Sequence, residues 1–212
     1  MFSLAHVSAV RKSEIERVIP WFGPGARILE IGAGTGEQAK ALADRGFDVS
    51  AIELVDSRYV SSRVYPVIEY DGRVIPFSAA SFDIVYSSNV LEHVTDLSQM
   101  HWEIWRVLRP GGRVVHVLPT HWWRLWTMVT GSLKRHGERG NLLTEMWYSH
   151  PAWWRQNFRQ NGFEVLRDEP MGLFYTGNMI FGTRWPMKLR ERLSRIFGSA
   201  CHVFELKVAA DA

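Results

Sequence analysis

The stretch that most constrains the fold is Ile28-Leu29-Glu30-Ile31-Gly32-Ala33-Gly34-Thr35-Gly36-Glu37, an apolar run ending in three alternate glycines. A chain that turns this sharply between a strand and a helix needs residues without a Cβ, and their bareness lets a ligand approach the backbone. The loop therefore reads as the first strand–turn–helix unit of a parallel sheet, or more plainly as a tight turn with no ligand. Position 37 is Glu where the dinucleotide-binding pattern carries its third glycine, which loosens any link to nicotinamide cofactors.

The same rhythm continues downstream. Strands are expected at Arg27–Ile31, Asp48–Glu53, Tyr65–Tyr70, Phe82–Ser87 and Arg113–Leu118, with helices at Glu37–Arg45 and Leu97–Leu108; Arg109-Pro110-Gly111-Gly112 then reads as a turn. Strands alternating with helices imply an α/β fold with a parallel sheet covered on both faces, and ligands at the carboxyl ends of the strands. After Leu118 the pattern breaks. A Trp-rich stretch follows, with His121–Val129 an amphipathic helix, a polar loop Arg135–Asn141 and a helix opening at Leu142. The alternation resumes with a helix at Pro151–Asn161, a strand at Phe163–Asp168, a basic helix at Met187–Phe197 and a closing strand at Cys201–Val208. We expect a single domain over 1–212, with a cofactor-binding core at 20–119, an inserted lid or substrate segment at 120–149, and a C-terminal part at 150–212 completing the sheet.

With 212 residues, 46% apolar and 22% charged, the composition is that of a globular chain and excludes disordered, collagenous and coiled-coil classes. Cys201 is the single cysteine, so no intramolecular disulfide framework and no four-thiolate metal site can form. The first twenty residues have no basic leader before an apolar run, and no apolar run approaches the ~18 residues that span a bilayer. A cytoplasmic protein is expected. Charge divides unevenly: residues 1–100 carry 9 Lys+Arg against 13 Asp+Glu, and residues 101–212 carry 16 against 9. Nine of the ten tryptophans also lie in the second half, so the two halves are expected to meet different partners.

Glu53 ends the second strand, Asp71-Gly72 the third and Ser87-Ser88-Asn89 the fourth, all at the edge where a ligand would sit. Glu30, just before the first glycine, would repel a pyrophosphate and favours a cationic ligand. Five segments in this order, ILEIGAGTG, VSAIE, Asp71-Gly72 before VIPFSAASFDIVYSSNVLEHV, EIWRVLRPGGRVVHVLP and WWRQNFRQNGFEV, make the chain resemble the class I S-adenosylmethionine-dependent methyltransferases, in particular the broad type 11 small-molecule group. The resemblance covers roughly 26–119 and 151–168. It implies a Rossmann-like sheet of seven mostly parallel strands with the last antiparallel, and S-adenosyl-L-methionine as cofactor. Gly32, Ala33, Gly34 and Gly36 would form the cofactor loop, and Glu30 would lie near the amino-acid end. Glu53, beside Leu54, would hold the ribose; Asp71 and Gly72 would meet the adenine; Ser87 and Ser88 would flank the methionine portion. Plainer readings stand beside these: a solvated acid for Glu53, a turn acid for Asp71, and helix caps for the serines.

Methyl transfer needs alignment and dryness more than a dedicated group, and needs a base only where the acceptor must lose a proton. Candidates are Glu92, His93 and His121. NVLEH also resembles a metal-binding element of some small-RNA and quinone O-methyltransferases, but Asn89 stands where their first Glu would be, so no metal is expected. The acceptor is expected to meet Pro119–Ser149 and Met171–Phe197, where the tryptophans serve as core, lid or membrane contact. Arg124, Lys134 and Arg135 would attract anionic head groups; Arg190, Arg192 and Arg195 would bind phosphate or form a solvated face. The leading reading is methylation of a small-molecule or lipid-linked saccharide acceptor at oxygen, in the cytoplasm or peripherally at the inner face of a membrane. The alternatives are an RNA methyltransferase, although a nucleic-acid partner is disfavoured, and a non-catalytic S-adenosylmethionine-binding partner or sensor.

Overall fold

The structure is a computed structural model that describes residues 4–57, 60–130, 142–177 and 185–210. One seven-stranded sheet organises it: β1 (Arg27–Ile31), β2 (Asp48–Leu54), β3 (Ile68–Tyr70), β4 (Phe82–Ser88), β5 (Leu108–Pro119), β6 (Phe163–Pro170) and β7 (Cys201–Val208), in the order β3-β2-β1-β4-β5-β7-β6. All pairings from β3 to β5 are parallel, and β7 runs antiparallel to both β5 and β6. Helices α1 (Leu4–Val18), α2 (Glu37–Ala43), α3 (Leu97–Val107), α4 (His121–Val129), α5 (Leu142–Tyr148), α6 (Pro151–Gln160) and α7 (Met187–Phe197) surround it.

Strand alternation sends successive side chains to opposite faces. Leu29, Ile31, Val85, Val114 and Leu118 join Ile104, Trp154 and Phe158 of α3 and α6 in one core layer. Ile28, Ile84, Tyr86, Val115 and Val117 join Val10, Ile15 and Val18 of α1 in the other. The strand order reverses between β1 and β4, which opens a crevice above their carboxyl ends. Asp96 caps α3 by accepting the Gln99 N–H at 2.9 Å, and Gly36, with a left-handed φ of 78°, sets the start of α2.

Three local readings are corrected. Arg109-Pro110-Gly111-Gly112 does not precede the fifth strand but lies within it: the register slips between Phe82 and Ile84, and a Cβ on Gly112 would come within 2.9 Å of the Arg109 carbonyl. Arg124 does not face lipid. It is buried and paired with Glu145 of α5 at 2.7 Å. Arg190 is equally buried, donating to the carbonyls of Phe174 and Trp185, so it is no part of a solvated or phosphate-binding face. The loop Arg135–Asn141 and Lys134 lie outside the described residues.

Strand β7 is inserted between two strands that run opposite to it, and buried Glu205 ties all three together. Its carboxylate accepts from Arg113 of β5 at 2.8 Å and Arg167 of β6 at 2.5 Å. Both guanidiniums are half exposed, so truncation strands no buried cation. Glu205→Ala is expected to cost about 2 kcal/mol, from lost charge-assisted hydrogen bonds, read as a lower urea midpoint with an unchanged slope.

Candidate active site

The loop after β1 passes through left-handed backbone at Gly32, Gly34 and Gly36, with φ of 72°, 55° and 78°. Space is as restrictive as torsion. A Cβ on Gly32 would meet Val90 at 2.3 Å, and one on Gly36 would meet Tyr65 at 2.8 Å. The end of β2 braces the loop: the N–H groups of Gly32 and Ala33 both donate to the Ile52 carbonyl, at 2.9 and 3.0 Å. Glu53 completes the brace, its carboxylate accepting the Gly34 N–H at 2.7 Å and the Leu54 N–H at 3.0 Å.

Next along the edge, Leu54 pairs with Tyr70, and a Cβ on Gly72 would lie 2.8 Å from the Leu54 side chain. Asp71 is exposed there, with one carboxylate oxygen taking the N–H groups of Arg73 and Val74 at 2.8 and 3.0 Å. Those bonds hold its carboxyl below the usual range, so it stays ionised. Glu53 and Asp71 thus stand on adjacent strands at the same end of the sheet as the glycine loop, each with acceptor capacity beyond the bonds described.

Glu30 faces the α1 layer and is 2% exposed. Burial pushes its carboxyl up to about 8, offset in part by the Ala39 N–H, and its Oε2 is buried without a hydrogen-bond partner. A buried carboxyl short of a partner costs free energy that a cationic ligand would recover.

The fourth strand divides its serines. Ser87 is fully buried, with its hydroxyl 2.8 Å from Nδ1 of His116, whose ring stacks on Phe158. Ser88 accepts from Asn89 at 3.0 Å and from Arg11 of α1 at 3.3 Å. From there a closed ring of contacts returns through Cys201 and Asn89 by way of Arg11, Glu14 and Tyr175, three residues that the sequence did not single out. Arg11 donates to Glu14 at 2.6 Å, Tyr175 donates to Glu14 at 2.6 Å, the Tyr175 hydroxyl lies 2.9 Å from Cys201 Sγ, and Cys201 reaches back to Asn89 at 3.5 Å. Asn89 itself is left-handed, with φ 57°. No local pattern marks these residues, because charges on a first helix normally read as solvated.

Glu92 and His93 occupy a short 3-10 turn, Leu91–His93. Burial pushes the Glu92 carboxyl up to about 8, with nearby Arg11 opposing and Glu14 adding to the rise, and its Oε2 is buried without a partner. His93 is half exposed, with Nε2 3.9 Å from Glu92 Oε1. His121 stands apart from both, at the start of α4, stacked on His150 at 4.7 Å between ring centroids. Burial and the His150 ring hold His121 below the usual histidine range.

A glycine loop flanked by strand-end acids, over a sheet ordered 3-2-1-4-5-7-6, defines a Rossmann-like protein shaped for an adenosyl ligand. A family model of the methyltransferase domain matches residues 29–116. The chain is similar to demethylmenaquinone methyltransferase of Renibacterium salmoninarum (36% identity, over 43% of this chain and 40% of that protein). It is also similar to 24-methylenesterol C-methyltransferase 2 of Oryza sativa subsp. japonica (30% identity, 71% and 44%). Among solved structures, a SAM-dependent methyltransferase from Archaeoglobus fulgidus superposes with a TM-score of 0.67 at 17% identity, covering 94% of each chain. Together the family model and these relatives support a class I S-adenosylmethionine-dependent methyltransferase. It spans less than half the length of either curated relative.

The residues present fit S-adenosylmethionine: the bare loop leaves room for the amino-acid end, the unpartnered Glu30 oxygen suits its cationic groups, and the two acids suit ribose and adenine. A cation beside Glu30 pulls its pKa down from about 8, so the bound protein holds fewer protons near neutrality. Cofactor binding is therefore expected to release protons and to tighten from pH 6 to 8. Calorimetry in buffers of different ionisation enthalpy checks this, and Glu30→Gln is expected to reduce the release.

Proposed function

We propose that the protein transfers the methyl group of S-adenosylmethionine to a small-molecule or lipid-linked acceptor at oxygen. The observation that carries the transfer reading is the juxtaposition of the bare glycine loop with a buried Glu30 carboxyl whose Oε2 has no partner, and with the acids of β2 and β3 on one sheet edge. When bound, the cofactor supplies an electrophilic sulfonium methyl. The chain's own contribution is to hold that ligand at the loop, to exclude water with α1 and the segment carrying Tyr175, and to keep the Glu30 carboxyl next to the cationic end.

A hydroxyl acceptor must shed a proton, and Glu92 supports oxygen as the acceptor atom. Its carboxyl, pushed up to about 8 and without a partner at Oε2, is matched to taking a proton near neutral pH. His93 follows it directly and is open enough to pass the proton to solvent.

A peripheral membrane contact, which suits a lipid-linked acceptor, is supported by the surface of the C-terminal half. Trp122 and Val129 of α4, Trp147 of α5 and Ile196 of α7 are exposed, and α7 adds exposed Lys188 and Arg192. Trp123 and Trp126 belong to packing instead: the first lies against the α1 core layer, and the second donates to the Phe197 carbonyl at 2.8 Å. No helix among the described residues is long and apolar enough to cross a membrane.

Incubation with methyl-labelled S-adenosylmethionine and fractionated cell extract tests the reading. Label is expected to enter a low-molecular-mass or lipid fraction through a base-stable ether linkage; label confined to RNA, or no transfer to any fraction, contradicts it. Glu92→Gln is expected to lower kcat by about a hundredfold while leaving cofactor affinity within about twofold, the range for loss of a general base. That split is measured by steady-state kinetics beside calorimetry.

A further inference from the structure

A cavity of about 500 Å³ opens over the far part of the same sheet edge, above the ends of β5 and β6 and the start of β7. Its shape depends on one glycine. Gly198 has φ 85°, and any Cβ there would lie 2.3 Å from the Trp122 ring, so the indole lies close against bare backbone as a cavity wall. This volume is in the range of small-ligand sites, and larger than a single anion needs.

The cavity's electrostatics are one-sided. Two helices begin at its rim: α4, through Thr120, His121 and Trp122, and α6, through Pro151. Each start carries about half a positive charge. At α6, Pro151 has no N–H and those of Ala152, Trp153 and Trp154 go to His150; at α4, those of His121 and Trp123 go to the Ser149 carbonyl and the Thr120 hydroxyl, which leaves the Trp122 N–H as the donor for a ligand. Of the fixed charges that line it, Arg17 and Glu191 cancel in a pair at 2.6 Å. Arg195 also lines it, is exposed, and has no ion-pair partner among the described residues. His121 adds a buried Nδ1 without a hydrogen-bond partner. His202 is occupied, bonded at 2.7 Å to Asp168, whose charge Arg155 already balances. Two helix starts and one uncompensated guanidinium therefore face an aromatic-walled space with no uncompensated carboxylate.

We propose that this cavity binds the phosphate group of a phosphorylated acceptor, with Arg195 and the first turn of α4 holding the anion and Trp122 lying against the body of the molecule. The anion site stands on the cavity alone; its role as the acceptor's anchor rests on the methyltransferase reading. Neutral menaquinone-like or sterol-like acceptors would leave the site's positive charge unused, so the site distinguishes a phosphorylated substrate class from a neutral one.

Calorimetric titration tests it, with inorganic phosphate, pyrophosphate, a soluble hexose 1-phosphate and a short-chain polyprenyl phosphate in detergent as probes. Wild type is compared with Arg195→Ala, His121→Gln and Arg159→Ala, the last removing an exposed charge at the opposite end of α6. Melting curves establish that each variant is folded. Saturable one-to-one binding of at least one organic phosphate is expected, weakened about tenfold by Arg195→Ala and less than about twofold by Arg159→Ala. Tighter binding of the polyprenyl than the hexose phosphate makes the source a lipid-linked acceptor, and the reverse order a soluble one. Absence of saturable binding by every probe overturns the proposal, as does equal weakening by Arg195→Ala and Arg159→Ala, which would mean a diffuse effect of net charge. Phosphate binding by a protein that ignores S-adenosylmethionine would leave the anion site standing and remove the methyltransferase reading.

Discussion

The bond between the Gly34 N–H and the Glu53 carboxylate is the contact on which the rest of the site depends. It locks a loop that must run left-handed at three positions to the end of the neighbouring strand, so the bend after β1 and the acid of β2 form one rigid unit. The Ile52 carbonyl adds two more bonds from the same strand. Glycine enters such torsions without strain and leaves them as readily, so a single loop conformation has to be determined by its surroundings. Here that determination comes from strand pairing, and the site is as stiff as the sheet.

Charge is the second organising theme. A cationic cofactor is best held in a dry place, and a carboxyl already buried before any ligand arrives suits such a cation. Glu30 and Glu92 each have a buried oxygen without a partner. Both lie near the C-terminal ends of neighbouring strands, and both are biased by burial toward the neutral form. At Glu30, holding a carboxylic acid neutral and releasing its proton when a cation docks avoids a permanent buried charge in the empty protein. The neighbouring ring of Arg11, Glu14, Tyr175, Cys201, Asn89 and Ser88 is fully connected by comparison, and it ties α1, β4, β7 and the segment after β6 into one wall. α1 is thereby tied to the end of β4 and to the segment after β6.

What the sequence could convey follows from the kind of signal each feature leaves. The bounds of β1 and α7 are readable because glycine or proline flanks them, Gly32 after the one and Pro186 and Gly198 around the other. The glycine loop and the acids of β2 and β3 are readable because strand order alone brings their ends together. α1 escapes, since its inward side carries Arg11 and Glu14, and a period of charges reads as a solvent face. Arg124 and Arg190 mislead for the same reason: an arginine's partner in space, Glu145 for one and backbone carbonyls for the other, leaves no trace in spacing. Ser87 lies at the expected strand end, yet its hydroxyl is bonded to buried His116, because alternation along β4 decides which face each serine meets.

The central claim is that this sheet edge grips an adenosyl sulfonium through the acids of two adjacent strands. Parallel titrations of the purified chain with S-adenosylmethionine and with NAD, each repeated on Asp71→Ala, test it most directly. Saturable one-to-one binding of S-adenosylmethionine, weakened in the variant and with no heat from NAD, is the predicted result. Tight NAD binding with no response to S-adenosylmethionine would contradict the account.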